Sequence, residues 1–288
     1  MSGRVVSTGN ALVDVVAVVP RLPDRGGDVL ASGGRLEVGG GGFRALVAAR
    51  AAGADAVFAG RIGTGPFGEL VREALATIDV PAPLPPVLEH DTGFVLTAIE
   101  PDGERTFMTV PGAESAAPAL DGFAVPAGDV VHVHGYGLVA PARGPALAAF
   151  VEALPEVVVV LLDPGPFGAD ASPDVLARLL PRVDWWSGDT EEARAATGLG
   201  DAAAAARLLA STVRRGAVVR QGADGCLLAL RGGEVVHLPA PTVVAVNSNG
   251  AGDTHVGAFM AGLLRDDAPV DAARAANDAA AAFVARPR

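Results

Sequence analysis

Short aliphatic runs alternate with longer stretches of helical pattern along the chain, and this alternation is what most limits the folds open to it. The runs end in glycine or a turn residue and cover residues 4–8, 56–60, 129–134, 157–163 and 217–220. Because they are apolar on both faces, they predict parallel strands buried between helices. Helical patterns fill the intervals at residues 45–52, 67–76, 141–153, 173–180, 190–197 and 202–212. We therefore expect an α/β fold with a doubly wound, mainly parallel sheet flanked by helices.

Two segments depart from this alternation and predict a second, smaller sheet. Residues 93–110 have the pattern of a hairpin around Pro101-Asp102-Gly103, and residues 13–38 carry strand and turn signals without helical periodicity. We expect residues 1–288 to form a single domain, from which the segments at about 13–38 and 93–110 project as a β-sheet lid.

Composition limits the partners and the chemistry. The formal charge of −11 argues against nucleic acid or an anionic membrane as a partner, since both reward basic patches. Lysine is absent, so neither a lysine Schiff base nor a lysine P-loop is available, and phosphate binding would fall to arginine and backbone amides. The single cysteine, Cys226, excludes an intrachain disulfide. With no secretory segment and no aliphatic run long enough to span a bilayer, we expect a cytoplasmic protein.

The sharpest local feature is a glycine-rich turn, Gly250-Ala251-Gly252-Asp253, which follows an aliphatic run at 243–246. We predict a strand over that run, then the turn, then a helix of small residues. Successive backbone N–H groups in such a turn can face one point, and a helix N-terminus favours negative charge there, which suits a phosphoryl group in transfer. Asp253, held ionised by the helix dipole, would accept a proton from an attacking hydroxyl. The alternative is a tight turn in which Asp253 is only a cap.

With the motifs that precede it, this turn resembles the C-terminal signature of the ribokinase-like (PfkB) family of carbohydrate and nucleoside kinases. Further segments resemble family motifs in the family's order, over nearly the whole chain: Gly9-Asn10-Ala11-Leu12-Val13-Asp14, Gly39-Gly40-Gly41-Gly42-Phe43-Arg44, Gly60-Arg61-Ile62-Gly63, Asp189-Thr190-Glu191-Glu192, Gly222-Ala223-Asp224-Gly225 and Ala276-Asn277-Asp278-Ala279.

The resemblance implies an enzyme that uses ATP and Mg²⁺ to phosphorylate a hydroxyl of a small sugar or related polyol beneath the lid. The catalytic residues it implies are Gly250, Ala251, Gly252 and the base Asp253. The substrate-binding residues it implies are Asn10, Asp14, Gly40, Gly41, Gly42 and Arg44. The nucleotide-binding residues it implies are Asp189, Arg220, Gly222, Gly225 and Asn277, with Glu192 acting on the metal or phosphate. It also implies a homodimer that pairs through the lids.

Some positions differ from the family pattern. Arg44 stands where many members have an asparagine, and an arginine fork suits a carboxylate or phosphate, so a sugar acid or sugar phosphate is one reading. An Arg44 that only pairs with an acid of the protein is the other. Asn247 stands where relatives have an aspartate near a monovalent-cation site, so we do not expect activation by potassium.

Three other functions stay open at this point. Residues 40–45 also fit the dinucleotide fingerprint G-x-G-x-x-A, with Arg61 suited to NADP, although this glycine run lies far from the first strand. A nucleoside could replace the sugar as acceptor, against which the chain has few aromatic residues. The third is a ligand-binding relative without turnover. The intact Asp253 and the glycines of its turn argue against it, because a protein without turnover has no reason to keep them.

Overall fold

The computed structural model describes residues 3–246 and 248–286. Within them the strands are β1 (Arg4–Ser7), β2 (Leu12–Val18), β3 (Gly33–Gly39), β4 (Asp55–Phe58), β5 (Phe94–Ile99), β6 (Arg105–Val110), β7 (Val130–His134), β8 (Val159–Asp163), β9 (Trp185–Asp189), β10 (Gly216–Arg220), β11 (Cys226–Leu230) and β12 (Val235–Leu238). The helices are α1 (Gly41–Ala51), α2 (Pro66–Thr77), α3 (Tyr136–Val139), α4 (Arg143–Ala153), α5 (Pro173–Leu179), α6 (Thr190–Thr197), α7 (Ala202–Thr212), α8 (Ala251–Leu264) and α9 (Pro269–Val284).

The main sheet has eight strands in the order β12-β11-β10-β9-β8-β7-β1-β4; the strands from β10 to β4 are parallel, and β11 runs antiparallel to both β10 and β12. This confirms the predicted doubly wound α/β fold. Strands β4 and β7 flank β1 on opposite sides, so the chain winds outward in both directions from β1. The carboxyl ends of strands beside such a reversal are where open α/β sheets bind ligands.

One face of this sheet changes character along the strands. Side chains on a strand alternate between faces, so Val5 and Ser7 of β1 point to the same side. On that side the first positions of the strands are apolar and pack with α1, α8 and α9. The last positions are polar, and we call this group the polar floor: Ser7, His132, His134, Asp163, Ser187 and Arg220. The same strands therefore supply both the core and a polar layer.

The second, smaller sheet that the sequence predicted is present; this sheet, the lid, has four strands in the order β3-β2-β5-β6. Its pairing register puts Asp14, opposite Val95, on the face that borders the polar floor. The other face is apolar and partly exposed, with Leu36, Leu96 and Met108 in one cross-strand row that passes through Val15. One face of the lid thus serves the interior cleft and the other faces outward.

Helices α1 and α8 pack unusually close to each other. A Cβ on Gly257 of α8 would lie 2.1 Å from the Ala45 carbonyl oxygen of α1, so only glycine allows this approach. Helix α1 begins at Gly41 and α8 begins at Ala251, so the contact fixes the two glycine-rich helix starts relative to each other.

The strand predicted over 243–246 is wrong. These residues cross the surface between β12 and α8, Val244 is 85% exposed, and the Val246 N–H donates to the Val284 carbonyl of α9 at 2.8 Å. An aliphatic run becomes a strand only where a neighbouring strand accepts its backbone groups, and here a helix end does so instead. Asn247, on which the expectation about potassium rests, lies outside the described residues. Among the described helices, none has the length and apolar character needed to cross a bilayer.

Candidate active site

A cleft of about 620 Å³ opens at the carboxyl ends of the parallel strands, between the polar floor, the lid and the start of α8. Most of the residues singled out from the sequence line it: Asn10, Asp14, Gly40, Gly41, Arg44, Asp189, Glu192, Arg220, Gly250, Gly252 and Asp253. Segments separated by more than half of the chain therefore meet at one place. The carboxyl-end rule for α/β sheets accounts for that meeting.

The glycine-rich turn opens α8 as the sequence predicted. Gly250 has φ 94°, a left-handed conformation that favours glycine, and it is the N-cap of the helix. The Ala251 N–H donates to the Ser248 carbonyl at 3.1 Å, so this amide closes the turn and does not face the cleft as an anion-hole donor. The next two amides, of Gly252 and Asp253, lie in the first helical turn, where no acceptor exists within the helix.

Asp253 lies half-buried in that first turn. Burial raises the pKa of its carboxyl, and the negative charge of Asp163 raises it further, while His134, Arg44 and Arg220 act in the opposite direction. The raised pKa runs against the direction that the helix dipole alone predicts. A carboxylate whose pKa is raised is a stronger proton acceptor than an ordinary one.

Arg220 is the cation of the polar floor. Its Nη1 donates to the Ser187 hydroxyl at 3.0 Å, and its Nη2 lies 3.3 Å from Glu192 Oε2 and 3.7 Å from Asp163 Oδ1. A Cβ added to Gly252 would lie 3.4 Å from the guanidinium, so the arginine sits directly beneath the helix start. The arginine therefore lies on the same side of the cleft as the glycine-rich turn that opens α8.

Asp189 and Glu192 form the start of α6. Asp189 accepts the Glu192 N–H at 2.8 Å and Glu192 Oε2 accepts the Asp189 N–H at 2.7 Å, which is a capping box. Burial and the charge of Asp163 raise the pKa of Glu192 to about 7, against the opposing effect of Arg220. One oxygen of Glu192 is thus committed to the helix and to Arg220.

Arg44 organises the side of the cleft that borders the lid. Its Nη2 lies 2.7 Å from Asp14 Oδ2 and its Nη1 donates to Asn249 Oδ1 at 3.1 Å. The guanidinium therefore joins the lid to the segment before α8 and pairs with an acid of the protein, as the second sequence reading proposed. Asn10 lies beside this group, and its buried Oδ1 has no hydrogen-bond partner among the described residues.

Two of the predicted substrate glycines bring backbone close to the cleft. Gly40 has φ 95°, and a Cβ on Gly41 would lie 2.4 Å from His134 Nε2. Gly42 packs instead against the backbone of residues 9 and 10, outside the cleft lining. The glycine run 40–42 therefore contacts the segment that follows β1 and also forms part of the cleft wall.

Three predicted nucleotide-side residues lie outside this cleft. Gly222 and Gly225 shape the turn between β10 and β11, both with positive φ. Asn277 is 3% exposed, its Nδ2 donates to the Leu238 carbonyl at 2.9 Å, and its Oδ1 lies 3.2 Å from His255 Nε2. The structure places Asn277 as a tie between α9 and β12, away from open surface.

The dinucleotide alternative fails on topology. The glycine run 40–42 follows β3, an antiparallel lid strand, whereas the fingerprint requires a strand of a βαβ unit. Arg61, the candidate for NADP, donates to the Pro85 carbonyl at 2.9 Å and does not line the cleft.

Sequence reasoning assigned no role in this cleft to Asp163, His134, Tyr136, Phe107 or Phe167, yet all five line it. The Tyr136 ring stacks on His134, with centroids 5.3 Å apart and planes at 6°, and meets Phe167 edge-on at 5.0 Å. The signal was present in part, since two of these residues end strands at the same sheet edge and share a face. The aromatic contacts depend on loops whose course the sequence does not show.

Comparison with known proteins gives a consistent result. Residues 2–288 match the family described as pfkB family carbohydrate kinase. The chain is 34% identical over 294 residues to a fructokinase of Klebsiella pneumoniae, covering 98% of this chain and 91% of that protein. It is 31% identical over 275 residues to a protein of Escherichia coli (strain K12) described as "Uncharacterized sugar kinase YegV", covering 90% of this chain and 81% of that protein.

Solved structures support the fold. A ribokinase of Thermotoga maritima superposes with a TM-score of 0.84 at 20% identity, covering 98% of this chain and 93% of that one. Arabidopsis thaliana ribokinase, solved with ribose and ATP, gives 0.83 at 24% identity, with 99% and 93% covered. The ribokinase-like architecture predicted from the sequence is confirmed.

Proposed function

The chain belongs to the pfkB family of carbohydrate kinases, and we propose that it transfers the γ-phosphoryl group of ATP to a hydroxyl of a small neutral sugar, with Asp253 as general base. The observation that carries the proposal is the convergence of Asp253, the α8 start and Arg220 on one side of a cleft whose other side presents Asn10 and the Arg44–Asp14 pair.

The ATP phosphates belong at the start of α8. The first-turn amides of Gly252 and Asp253 and the guanidinium of Arg220 would face the negative charge that spreads over the γ-phosphoryl oxygens. Arginine is the only strongly basic side chain that the sequence offers for this task. The negative charge of Asp163 raises the pKa of Glu192 and of Asp253, and the positive charge of Arg220 acts in the opposite direction on both.

The residues at this end also fit a magnesium ion. Mg²⁺ takes oxygen ligands and keeps several waters, and the carboxylates of Asp189 and Glu192 border the nucleotide side of the cleft. We assign them to holding the ion through water, with Glu192 acting through Oε1 because Oε2 is engaged. Bound there, Mg²⁺ would supply charge neutralisation at the phosphates.

The acceptor hydroxyl belongs beside Asp253. Asp253 accepts the hydroxyl proton as that oxygen bonds to the γ-phosphorus and the bond from phosphorus to the β–γ bridging oxygen breaks, releasing ADP. The buried Asn10 Oδ1 would accept a hydrogen bond from another hydroxyl. A neutral acceptor is favoured because the charge of Arg44 is already paired with Asp14. A sugar acid or sugar phosphate would have to compete with that carboxylate.

A nucleoside is the second candidate acceptor. Tyr136, Phe167 and Phe107 all line the cleft, so the aromatic surface that a base requires is more concentrated than the composition suggests. The direct test is ADP release with Mg-ATP across neutral sugars, sugar acids, sugar phosphates and nucleosides.

The test compares wild type with Asp253→Asn and with a matched control, Asp174→Asn. Asp174 also lies in the first turn of a helix, α5, but away from the cleft. Loss of the base should lower kcat by ~10³-fold with KM little changed, while the control should match wild type. Full activity in Asp253→Asn would refute the base assignment, and turnover confined to nucleosides would replace the sugar as acceptor.

A homodimer through the lids is a further part of this proposal. The outer lid face has Leu36, Leu96 and Met108 in one cross-strand row, and these residues are 54%, 42% and 64% exposed. Burying such a face against a second copy removes apolar surface from water. Light scattering should give a dimer mass for wild type and a monomer for Leu96→Glu. Leu30→Glu, at a 92% exposed site off the sheet, is the control, and a wild-type monomer would refute the dimer.

A further inference from the structure

Three side chains with metal-binding atoms meet beneath the start of α8. His134 ends β7, Asp163 ends the neighbouring strand β8, and Asp253 lies in the first turn of α8. One imidazole nitrogen and one oxygen of each carboxylate lie within 4.8 Å of one another. Because three separate elements fix them, the cluster does not depend on a loop.

The spacing suits a bound cation better than a direct contact. His134 Nε2 lies 4.0 Å from Asp163 Oδ2, which is too long for a hydrogen bond. Ligand atoms at ~2.1 Å from a tetrahedral zinc ion lie about 3.4 Å apart, so the two atoms would have to approach each other by about 0.6 Å to reach that spacing. Both side chains are almost completely buried, with 5% and 4% of their surface exposed.

The two oxygens of Asp163 have different surroundings. Oδ1 accepts the Gly165 N–H at 3.3 Å and lies 3.7 Å from Arg220, while Oδ2 faces His134. Partners on the far oxygen hold the carboxylate so that the near oxygen points at the cluster. Outer hydrogen bonds of this kind orient the ligands in established metal sites.

The imidazole of His134 is held just as firmly. It stacks on Tyr136, and the backbone at Gly41 and Gly165 closes on its edge. Its Nδ1 is a buried polar atom that has no hydrogen-bond partner among the described residues. The other ring nitrogen, Nε2, faces Asp163 Oδ2, so Nε2 is the atom that would bind an ion in the cluster.

We infer that His134, Asp163 and Asp253 form a binding site for a divalent transition-metal ion of the zinc type. An imidazole with two carboxylates is a donor set for Zn²⁺, Co²⁺ or Mn²⁺, whereas Mg²⁺ prefers oxygen ligands alone. Three protein ligands leave at least one coordination position, which would open to the cleft. This site is distinct from the Asp189 and Glu192 pair assigned above to magnesium.

Occupancy would have a consequence for turnover. The ion would take an oxygen of Asp253, the group proposed to accept the hydroxyl proton, so metal binding and proton acceptance compete. We expect Zn²⁺ to inhibit phosphoryl transfer with Mg²⁺ in excess. This consequence rests on the proposed function, whereas the binding site itself does not.

The test measures binding without nucleotide. Visible absorption of Co²⁺ and titration calorimetry with Zn²⁺, both with excess Mg²⁺, should show one ion per chain in wild type. His134→Gln should weaken the affinity at least ~10-fold, and so should Asp253→Asn. His90→Gln, an exposed histidine that does not line the cleft, is the matched control and should bind as wild type does.

The two variants keep the inference refutable if one fails to fold. Asp253 lies half-exposed at a helix start, so its variant is informative even if the buried His134 variant unfolds. Equal Zn²⁺ affinity in wild type and in either folded variant would overturn the site, as would no binding to wild type. Kinase activity without Co²⁺ binding would refute only the metal site. Co²⁺ binding without activity on any acceptor would refute only the proposed function.

Discussion

The polar floor and the lid are both made of strands, yet they hold polar side chains in opposite ways. Asp163 and His134 of the floor are 3% and 4% exposed, because a full sheet lies on one side and α8 on the other. In the lid, β3 and β6 are largely exposed, and the buried charge of Asp14 is held by Arg44 from outside the lid. The floor therefore holds its polar groups in a fixed geometry, while the lid can vary on the surface that borders the cleft.

The largest expected difference is in stability. In the main sheet, buried Asp184 accepts the Val160 N–H at 2.9 Å and pairs with Arg182 and Arg215 at 3.5 and 3.2 Å. Asp184→Ala would leave the Val160 N–H and the two guanidinium groups without their carboxylate and should lower the free energy of unfolding by about 3–5 kcal/mol. In the lid, Glu37→Gln should cost less than about 1 kcal/mol, since its pair with Arg35 is partly exposed. Urea unfolding would measure both, and equal losses would break the comparison.

Glycine substitutions should separate the two regions by activity. A Cβ at Gly41 would meet His134 Nε2, so Gly41→Ala should lower kcat/KM by ~100-fold through displacement of reacting groups. A Cβ at Gly33 in the lid meets no described atom within 4 Å, so Gly33→Ala is the control and should act as wild type. If both variants were fully active, the rigidity ascribed to the floor would be wrong.

Acid should weaken the core before it affects the lid, whose strands contain no histidine. Burial lowers the pKa of His132 and His255 to about 3, whereas the unfolded value is 6.5. The contribution of the two histidines to the free energy of unfolding is fully present above pH 6.5 and is lost as the pH falls towards 3, at about 1.4 kcal/mol per pH unit for each histidine. Urea unfolding on either side of pH 6.5 should show this loss, with a shallower slope in His255→Gln.

The control for that experiment is His237→Gln, at an exposed histidine of β12. Its pH slope should equal that of wild type. A wild-type stability that does not change below pH 6.5 would show that the two buried histidines are accessible to protons in the folded state.

The smallest effect should come from the inner face of the lid. Phe107 lines the cleft but is 53% exposed. Phe107→Ala should raise KM for the acceptor by roughly threefold and leave kcat unchanged, because the contact is the same before and during transfer. Steady-state kinetics would decide this, and a large fall in kcat would move Phe107 into the reacting geometry.

How much the sequence predicts differs between the same two regions. The alternation of aliphatic runs and helices predicted the sheet, and residues 190–197 and 202–212 were predicted as helices with the observed bounds. The sequence left two alternatives for Arg44, a ligand-binding arginine or one that pairs with an acid of the protein. It could not decide between them, because Arg44 lies on a helix and Asp14 on a lid strand that only the tertiary fold brings together. The strand expected at 243–246 failed because hydrophobicity does not say whether a neighbouring strand is present.

The close contact of α1 with α8 has a consequence for how this enzyme could change its acceptor. Gly41 and Asp253 lie at the starts of the two helices that Gly257 brings together, and both residues line the cleft. The contact lies inside the core, where it sets the distance between the two helices, and its atoms come from α1 and α8. Substitutions in the lid can therefore change which molecule enters the cleft while the spacing between the starts of α1 and α8 stays constant. The selectivity of the cleft and this spacing are therefore free to evolve separately.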